Sequence, residues 1–164
     1  MEKIIKPIKI NRSNFNIYGD LISTNDINPM DINEGYAKRF DNLADLNTSK
    51  DDGKTIVSIF SSLKRTFPME IDMMEKHPLG SQAFIPMKET TFLCFVAPPG
   101  ESPDISKIQS FIIPPKNGVN YKAGIWHFPL ISTEDINFLV IDRKGKGKNL
   151  INHKFEKEKI ILNY

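Results

Sequence analysis

Apolar residues in this chain come in short runs with prolines and glycines standing between them. The longest run, FLCFVA at 92–97, has the length of one strand. It fits a strand buried on its faces and falls far short of the roughly 20 residues that span a bilayer. Other segments read the same way. Residues 4–10 alternate Ile with Lys or Pro, as an edge strand does. TIVSIFSS (55–62), FPMEIDMME (67–75), SQAFIP (81–86), FIIPP (111–115), DINFLVIDR (135–143) and the closing KIILNY each read as strands. In 67–75, Met69, Ile71 and Met73 fall on one face, with Glu70, Asp72 and Met74 on the other. Residues 32–40 read as a strand with a turn or bulge at Gly35, and 41–53 do not settle beyond a turn at Asp51, Asp52 and Gly53.

Helix signals are few. Ser13 and Gly19 bracket a short helix, and Ser102, Pro103 and Asp104 would cap and start another in 101–111. With 11 prolines, mostly at strand ends, the expected architecture is mainly β, a sandwich or barrel in one domain over 1–164.

Charge and rare residues narrow the function classes. The formal net charge of +2 divides unevenly. Residues 1–142 hold 15 Lys+Arg against 18 Asp+Glu, and residues 143–164 hold 7 against 2. The basic stretch contains one aromatic before the last strand, Phe155, and lysine outnumbers arginine 18 to 4 in the chain. That pattern lacks the stacking residues of a nucleic-acid site and reads as a solvated, glycine-loosened loop. The single Cys94 excludes an intrachain disulfide framework and a multi-cysteine zinc site, and fits a small buried hydrophobe. The N-terminus alternates Lys and Ile without a small-residue cleavage site, so a cytoplasmic protein with no membrane partner is expected.

The scarce resource is histidine: His77, His127 and His153. Glu75 and His77 are two apart and share a face if the segment is a strand. Gln82 follows the HPLG turn and can return to that face. A second segment, 118–128, places Gly118 and Gly124, suited to tight turns, before His127. Two imidazoles with oxygen donors suit a divalent first-row metal. Each residue also has a plainer reading: Glu75 a strand-end charge, His77 and Gln82 turn residues, His127 a core histidine beside Trp126. His153 lies in the basic tail and reads as solvated.

The spacing resembles the two motifs of cupins. Gly118, Gly124 and His127 match the second motif throughout. Glu75, His77 and Gln82 match the first in spacing, with two ligand types replaced. At longer range, EKHPLGSQAFIPM, PDISKIQSFI, GVNYKAGIWHFPL and NFLVIDR resemble the bacterial ureidoglycolate lyase family, in preserved order over 4–143. The resemblance implies a cupin-like antiparallel β-barrel (jelly roll, or double-stranded β-helix) with a few short helices. It further implies a homodimer and cleavage of (S)-ureidoglycolate to glyoxylate and urea. Nickel or another divalent metal is associated with that activity.

By motif position, Glu75, His77, Gln82 and His127 are the implied metal-ligand positions, with His77, His127 and Glu75 as the candidates for proton transfer. Arg39 matches the family's arginine after Asn33 and Gly35 and would clamp the substrate carboxylate; its alternative is a surface pair with Asp41. Gln82, Tyr121 and Lys88 complete the expected substrate-binding set, with core packing as the plainer reading of Tyr121 and an exposed surface charge as that of Lys88. Phe128, Ser61 and Lys144 depart from the family pattern. Another cupin-type hydrolase or isomerase, or a small-ligand binding protein, remains the alternative function.

Overall fold

The computed structural model describes residues 2–164. The chain opens with β1 (Glu2–Ile5), β2 (Ile8–Lys9), a one-turn helix α1 (Arg12–Phe15), β3 (Gly19–Ile22), β4 (Met30–Ile32) and β5 (Ala37–Arg39). Its middle holds β6 (Lys54–Ser62), β7 (Met69–Ile71), β8 (Met73–Lys76), β9 (Gln82–Pro86), β10 (Phe92–Ala97) and β11 (Gln109–Ile113). It closes with β12 (Gly118–Tyr121), β13 (Trp126–His127), β14 (Ile131–Ser132), β15 (Ile136–Lys144), β16 (Ile151–Lys154) and β17 (Lys159–Leu162).

The strands form layers. A central sheet runs β16-β8-β13-β10-β11-β2, with β14 also on β10. One face meets a five-stranded sheet, β3-β12-β9-β15-β6, and the other meets a three-stranded sheet, β1-β17-β7. β4 and β5 make a separate hairpin. Pairing is antiparallel except for β1 with β17 and β11 with β2.

β10 explains the layering. Phe92, Cys94 and Val96 pack with Phe84, Val119, Phe138 and Val140 of the five-stranded sheet. Leu93, Phe95 and Ala97 pack with Ile71, Met74, Trp126, Ile160 and Leu162 on the other side. Strand alternation sends successive side chains to two cores, so every position is apolar. Phe92 meets Phe138 edge-on across the first core, with centroids 5.1 Å apart.

The mainly β expectation holds, but hydrogen bonding leaves the sheets open rather than closing them into a barrel. The facing sheets are joined by side-chain packing, and their end strands do not pair with each other among the described residues.

Local differences have local causes. α1 begins at Asn11, not Ser13, because Asn11 and Asn14 form a reciprocal capping box. Asp104, not Ser102, caps the later segment, and only a 3-10 turn (Ile105–Lys107) forms before the chain enters β11. Residues 67–75 break at Asp72, because β7 pairs with β17 while β8 pairs with β13 and β16. The break shifts the alternation, so Met74 joins Ile71 in the core. The basic tail is not all loop. β16 pairs with β8, and His153 lies half-buried between the rings of Trp126 and Phe155.

Candidate active site

β8 and β13 pair so that Glu75 stands directly across from His127. Their strand neighbours Met74 and Trp126 point into the core against the three-stranded sheet. Alternation therefore turns Glu75 and His127 toward the five-stranded sheet. There β9 and β12 pair Gln82 with Tyr121, on the same face as Phe84 and Val119. His77 follows β8 directly; its ring centroid is 5.3 Å from that of His127. His127 in turn stacks on Tyr121, with centroids 4.6 Å apart and planes 18° apart.

Both motif segments are tied together by backbone. The Gly124 N–H donates to the His77 carbonyl at 2.9 Å. Gly124 has φ +81°, a conformation that favours glycine, so the turn before His127 requires it. Gly118 is not in a turn: it lies within β12, where a Cβ would meet the Phe84 carbonyl oxygen at 2.6 Å.

The two imidazoles are locked alike. His77 Nδ1 lies 2.7 Å from the Asn149 carbonyl oxygen, and His127 Nδ1 lies 3.0 Å from that of Ile125. A carbonyl only accepts, so Nδ1 carries the proton and Nε2 of the neutral ring presents a lone pair. Glu75 Oε1 lies 3.5 Å from His127 Nε2 and 3.8 Å from His77 Nε2. Those gaps are too wide for direct hydrogen bonds.

Both Nε2 atoms, Gln82 Oε1 and Asp142 Oδ1 are buried with no hydrogen-bond partner. Unpaired buried polar atoms are costly, so such a concentration of them fits a site built for something between them. Donor atoms of Glu75, His77 and His127 all lie within 4.8 Å of one another. One carboxylate and two imidazoles with inward lone pairs fit a divalent first-row cation, with Gln82 Oε1 as a weaker oxygen donor nearby.

Electrostatics follow from the same arrangement. Burial would raise the Glu75 carboxyl, but the two neighbouring imidazoles outweigh it and hold it at about 2. Burial likewise works to lower His77, yet Glu75 and the Asn149 carbonyl raise it above its ordinary value. Glu75→Gln removes that anion. In the metal-free variant the His77 titration, followed by NMR of the ring protons, is expected to move to lower pH. Burial first, then the neighbouring Cys94 and the Glu75 charge, push the Tyr121 hydroxyl well above 10, so it is neutral at physiological pH.

Glu75, Gln82, Tyr121 and His127 line a cavity of about 650 Å³ whose wall continues through Phe84, Phe128 and residues 60–65. Two expected substrate-binding residues are elsewhere. Arg39, with 61% of its side chain exposed, pairs with Asp41 at 2.6 Å, its plainer reading. Lys88 pairs with Glu134 on the surface and lines a neighbouring pocket.

The structure also adds residues. Gln82 Nε2 donates to Asp142 Oδ2 at 3.2 Å, which turns the Gln82 oxygen the other way. The alternation of Phe138, Val140 and Asp142 in β15 carried that signal. Asn149 holds both His77 and, through its Oδ1, the Leu79 N–H at 2.8 Å. It lies 72 residues from His77, and no sequence pattern marks it.

Comparison with known proteins points the same way. A family model described as ureidoglycolate lyase matches residues 2–162. A protein of Azotobacter vinelandii named ureidoglycolate lyase is 39% identical over 162 residues, covering 98% of each chain. Its namesake in Pseudomonas syringae pv. syringae is 39% identical over 160 residues, covering 97% of this chain and 93% of its own. One from Burkholderia mallei is 41% identical over 142 residues, covering 86% and 83%. With Glu75, His77, Gln82 and His127 gathered between facing sheets and a match running from β1 to β17, this chain belongs to the ureidoglycolate lyase family.

Proposed function

We propose that this chain cleaves (S)-ureidoglycolate to glyoxylate and urea, a late step of allantoin breakdown in the cytoplasm. The observation that carries the proposal is the convergence of Glu75, His77 and His127, with Glu75 and His127 lining one cavity beside Gln82 and Tyr121. The family and its named relatives support the same reading. The facing five-stranded and central sheets are read as a cupin-like jelly roll, and the active unit as a homodimer.

The reaction breaks the bond from carbon to the ureido nitrogen and forms the aldehyde of glyoxylate on the hydroxyl carbon. No water is consumed. One proton leaves the hydroxyl and one reaches the departing nitrogen, so a single shuttle balances both transfers. His77, His127 and one carboxylate oxygen of Glu75 would hold a divalent cation such as nickel, which leaves the second Glu75 oxygen to move the proton. Bound there, the cation would act as a Lewis acid toward the substrate oxygen. Imidazoles engaged in that way are not free bases.

Glu75 is then the proton shuttle: it lines the cavity, His77 does not, and it is ionised at any pH well above 2. As a carboxylic acid of low pKa it returns the proton readily to nitrogen. Tyr121 backs the His127 ring, and Gln82, fixed by Asp142, offers its carbonyl oxygen. The apolar wall of Phe84 and Phe128 limits water around the reacting carbon.

The purified protein given ureidoglycolate is expected to release equal amounts of glyoxylate and urea. Exhaustive chelation should abolish turnover, and nickel or another first-row divalent ion should restore it. Full activity after chelation removes the cation from the mechanism. Ammonia in place of urea marks a hydrolase, and no release with any metal overturns the lyase reading.

A further inference from the structure

We infer that Arg65 anchors the carboxylate of the substrate at the mouth of the cavity, the role that sequence resemblance points to for Arg39. The inference rests on the lyase reading and adds a residue to it. Ureidoglycolate carries a carboxylate, and the cavity it would enter is also lined by the Glu75 carboxylate. A cation on the wall away from Glu75 holds the substrate's charge and leaves the rest of the substrate to reach Glu75 and His127.

Two cations line the cavity, Lys64 and Arg65. Among the chain's four arginines, three are engaged. Arg12 donates to the carbonyls of Leu21, Ser23 and Asn25, Arg39 pairs with Asp41, and Arg143 donates to backbone carbonyls. The Arg65 guanidinium has no hydrogen-bond or ion-pair partner among the described residues. Its central carbon lies 5.6 Å from the centroid of the Phe128 ring, and Phe128, only 8% exposed, follows His127 directly. A guanidinium over an aromatic ring is held in orientation while its N–H edge stays free for a carboxylate.

Its backbone is pinned as well. The Arg65 N–H donates to the Ser132 carbonyl at 2.8 Å, and the Lys64 N–H donates to Asp135 Oδ1 at 2.8 Å. A planar, bidentate donor on a fixed stem suits a carboxylate better than the single charge of Lys64. With the carboxylate at Arg65, the hydroxyl and ureido groups are left to face Glu75 and His127.

The test compares wild type with Arg65→Ala, Arg65→Lys and Lys64→Ala. Arg65→Ala is expected to raise KM by about 10- to 100-fold, the scale of a lost charge-assisted bond, with kcat changed far less. Arg65→Lys should recover part of the loss, and added guanidinium should lower the KM of Arg65→Ala but not of Lys64→Ala. An unchanged KM in Arg65→Ala, or a larger loss in Lys64→Ala, overturns the assignment. Calorimetric titration with glyoxylate separates this from the reaction itself. If wild type does not cleave ureidoglycolate but binds glyoxylate, loss of that binding in Arg65→Ala upholds the anchor while the lyase reading falls. Equal binding in the two proteins overturns the anchor.

Discussion

Replacing His127 with alanine is expected to cut release of urea and glyoxylate by about 100-fold or more while the chain stays folded. His127 is 2% exposed, so a packing role has to be separated from a chemical one. Its ring stacks on Tyr121, and removing it leaves a void that costs roughly 2–4 kcal/mol by analogy with other large-to-small core changes. The Nε2 lone pair, however, is not spent on packing. It faces Glu75 with no partner of its own. Urea denaturation and metal content, measured beside turnover, distinguish the two roles. A folded variant that binds less metal and turns over slowly supports the site role. A variant that unfolds under assay conditions assigns His127 to the core, and His127→Asn, smaller but polar, then separates stability from activity. His77→Ala is expected to act in the same direction, and the double variant should lose little more than either single one, because both rings serve one site.

The parts of this site that depend on period-two alternation were legible in sequence. Alternation puts Glu75 and His77 on one face and lets Gln82 return to it after the HPLG turn, whereas His127 joins them only through the resemblance to the cupin motifs. The strand content and the doubly buried 92–97 run were legible for the same reason. The register break at Asp72 was not, since it arises from β7 and β8 pairing with different partners. Sheet closure was not legible either: pairing between end strands is a long-range property that local pattern does not encode. Arg39 and Arg65 show where motif position fails. A guanidinium on a long side chain is placed by whichever acceptor or ring it reaches, and Arg39 reaches Asp41 just beyond the end of β5 while Arg65 reaches Phe128. Asn149 lay in a stretch that composition marks as solvated, yet its carbonyl orients His77.

Arg143→Met is expected to destabilise the fold by about 3 kcal/mol, read as a lower urea midpoint, and to reduce turnover although Arg143 lies outside the cavity. Arg143 is 7% exposed and has no carboxylate partner among the described residues. Instead Nε and Nη2 donate to the Lys50 carbonyl at 2.9 and 2.8 Å, and Nη2 also reaches the carbonyls of Asp51 and Lys146 at 3.3 and 3.0 Å. Replacing a buried ion pair by apolar residues is often neutral, because both charges leave together. Here the acceptors are backbone carbonyls that remain: those of Asp51 and Lys146 lose the guanidinium, and that of Lys50 keeps only the Gly53 N–H. The side chain also fills space that glycines leave for it. A Cβ on Gly53 would lie 2.2 Å from Arg143 Nε, and one on Gly80 would lie 2.7 Å from Arg143 Cβ. Arg143 therefore draws together the 50–53 loop, the turn that follows His77 and the Gly145–Gly147 stretch leading to Asn149. Releasing it is expected to loosen the stretch that carries the Asn149 carbonyl, and with it the bond that presents His77 Nε2 to the site. Arg143→Lys keeps the charge with a single-point donor in place of the fork, so its stability is expected to lie between the two. Unchanged stability in Arg143→Met would mean that the carbonyls find water instead, and that the His77 turn holds its shape without the clasp.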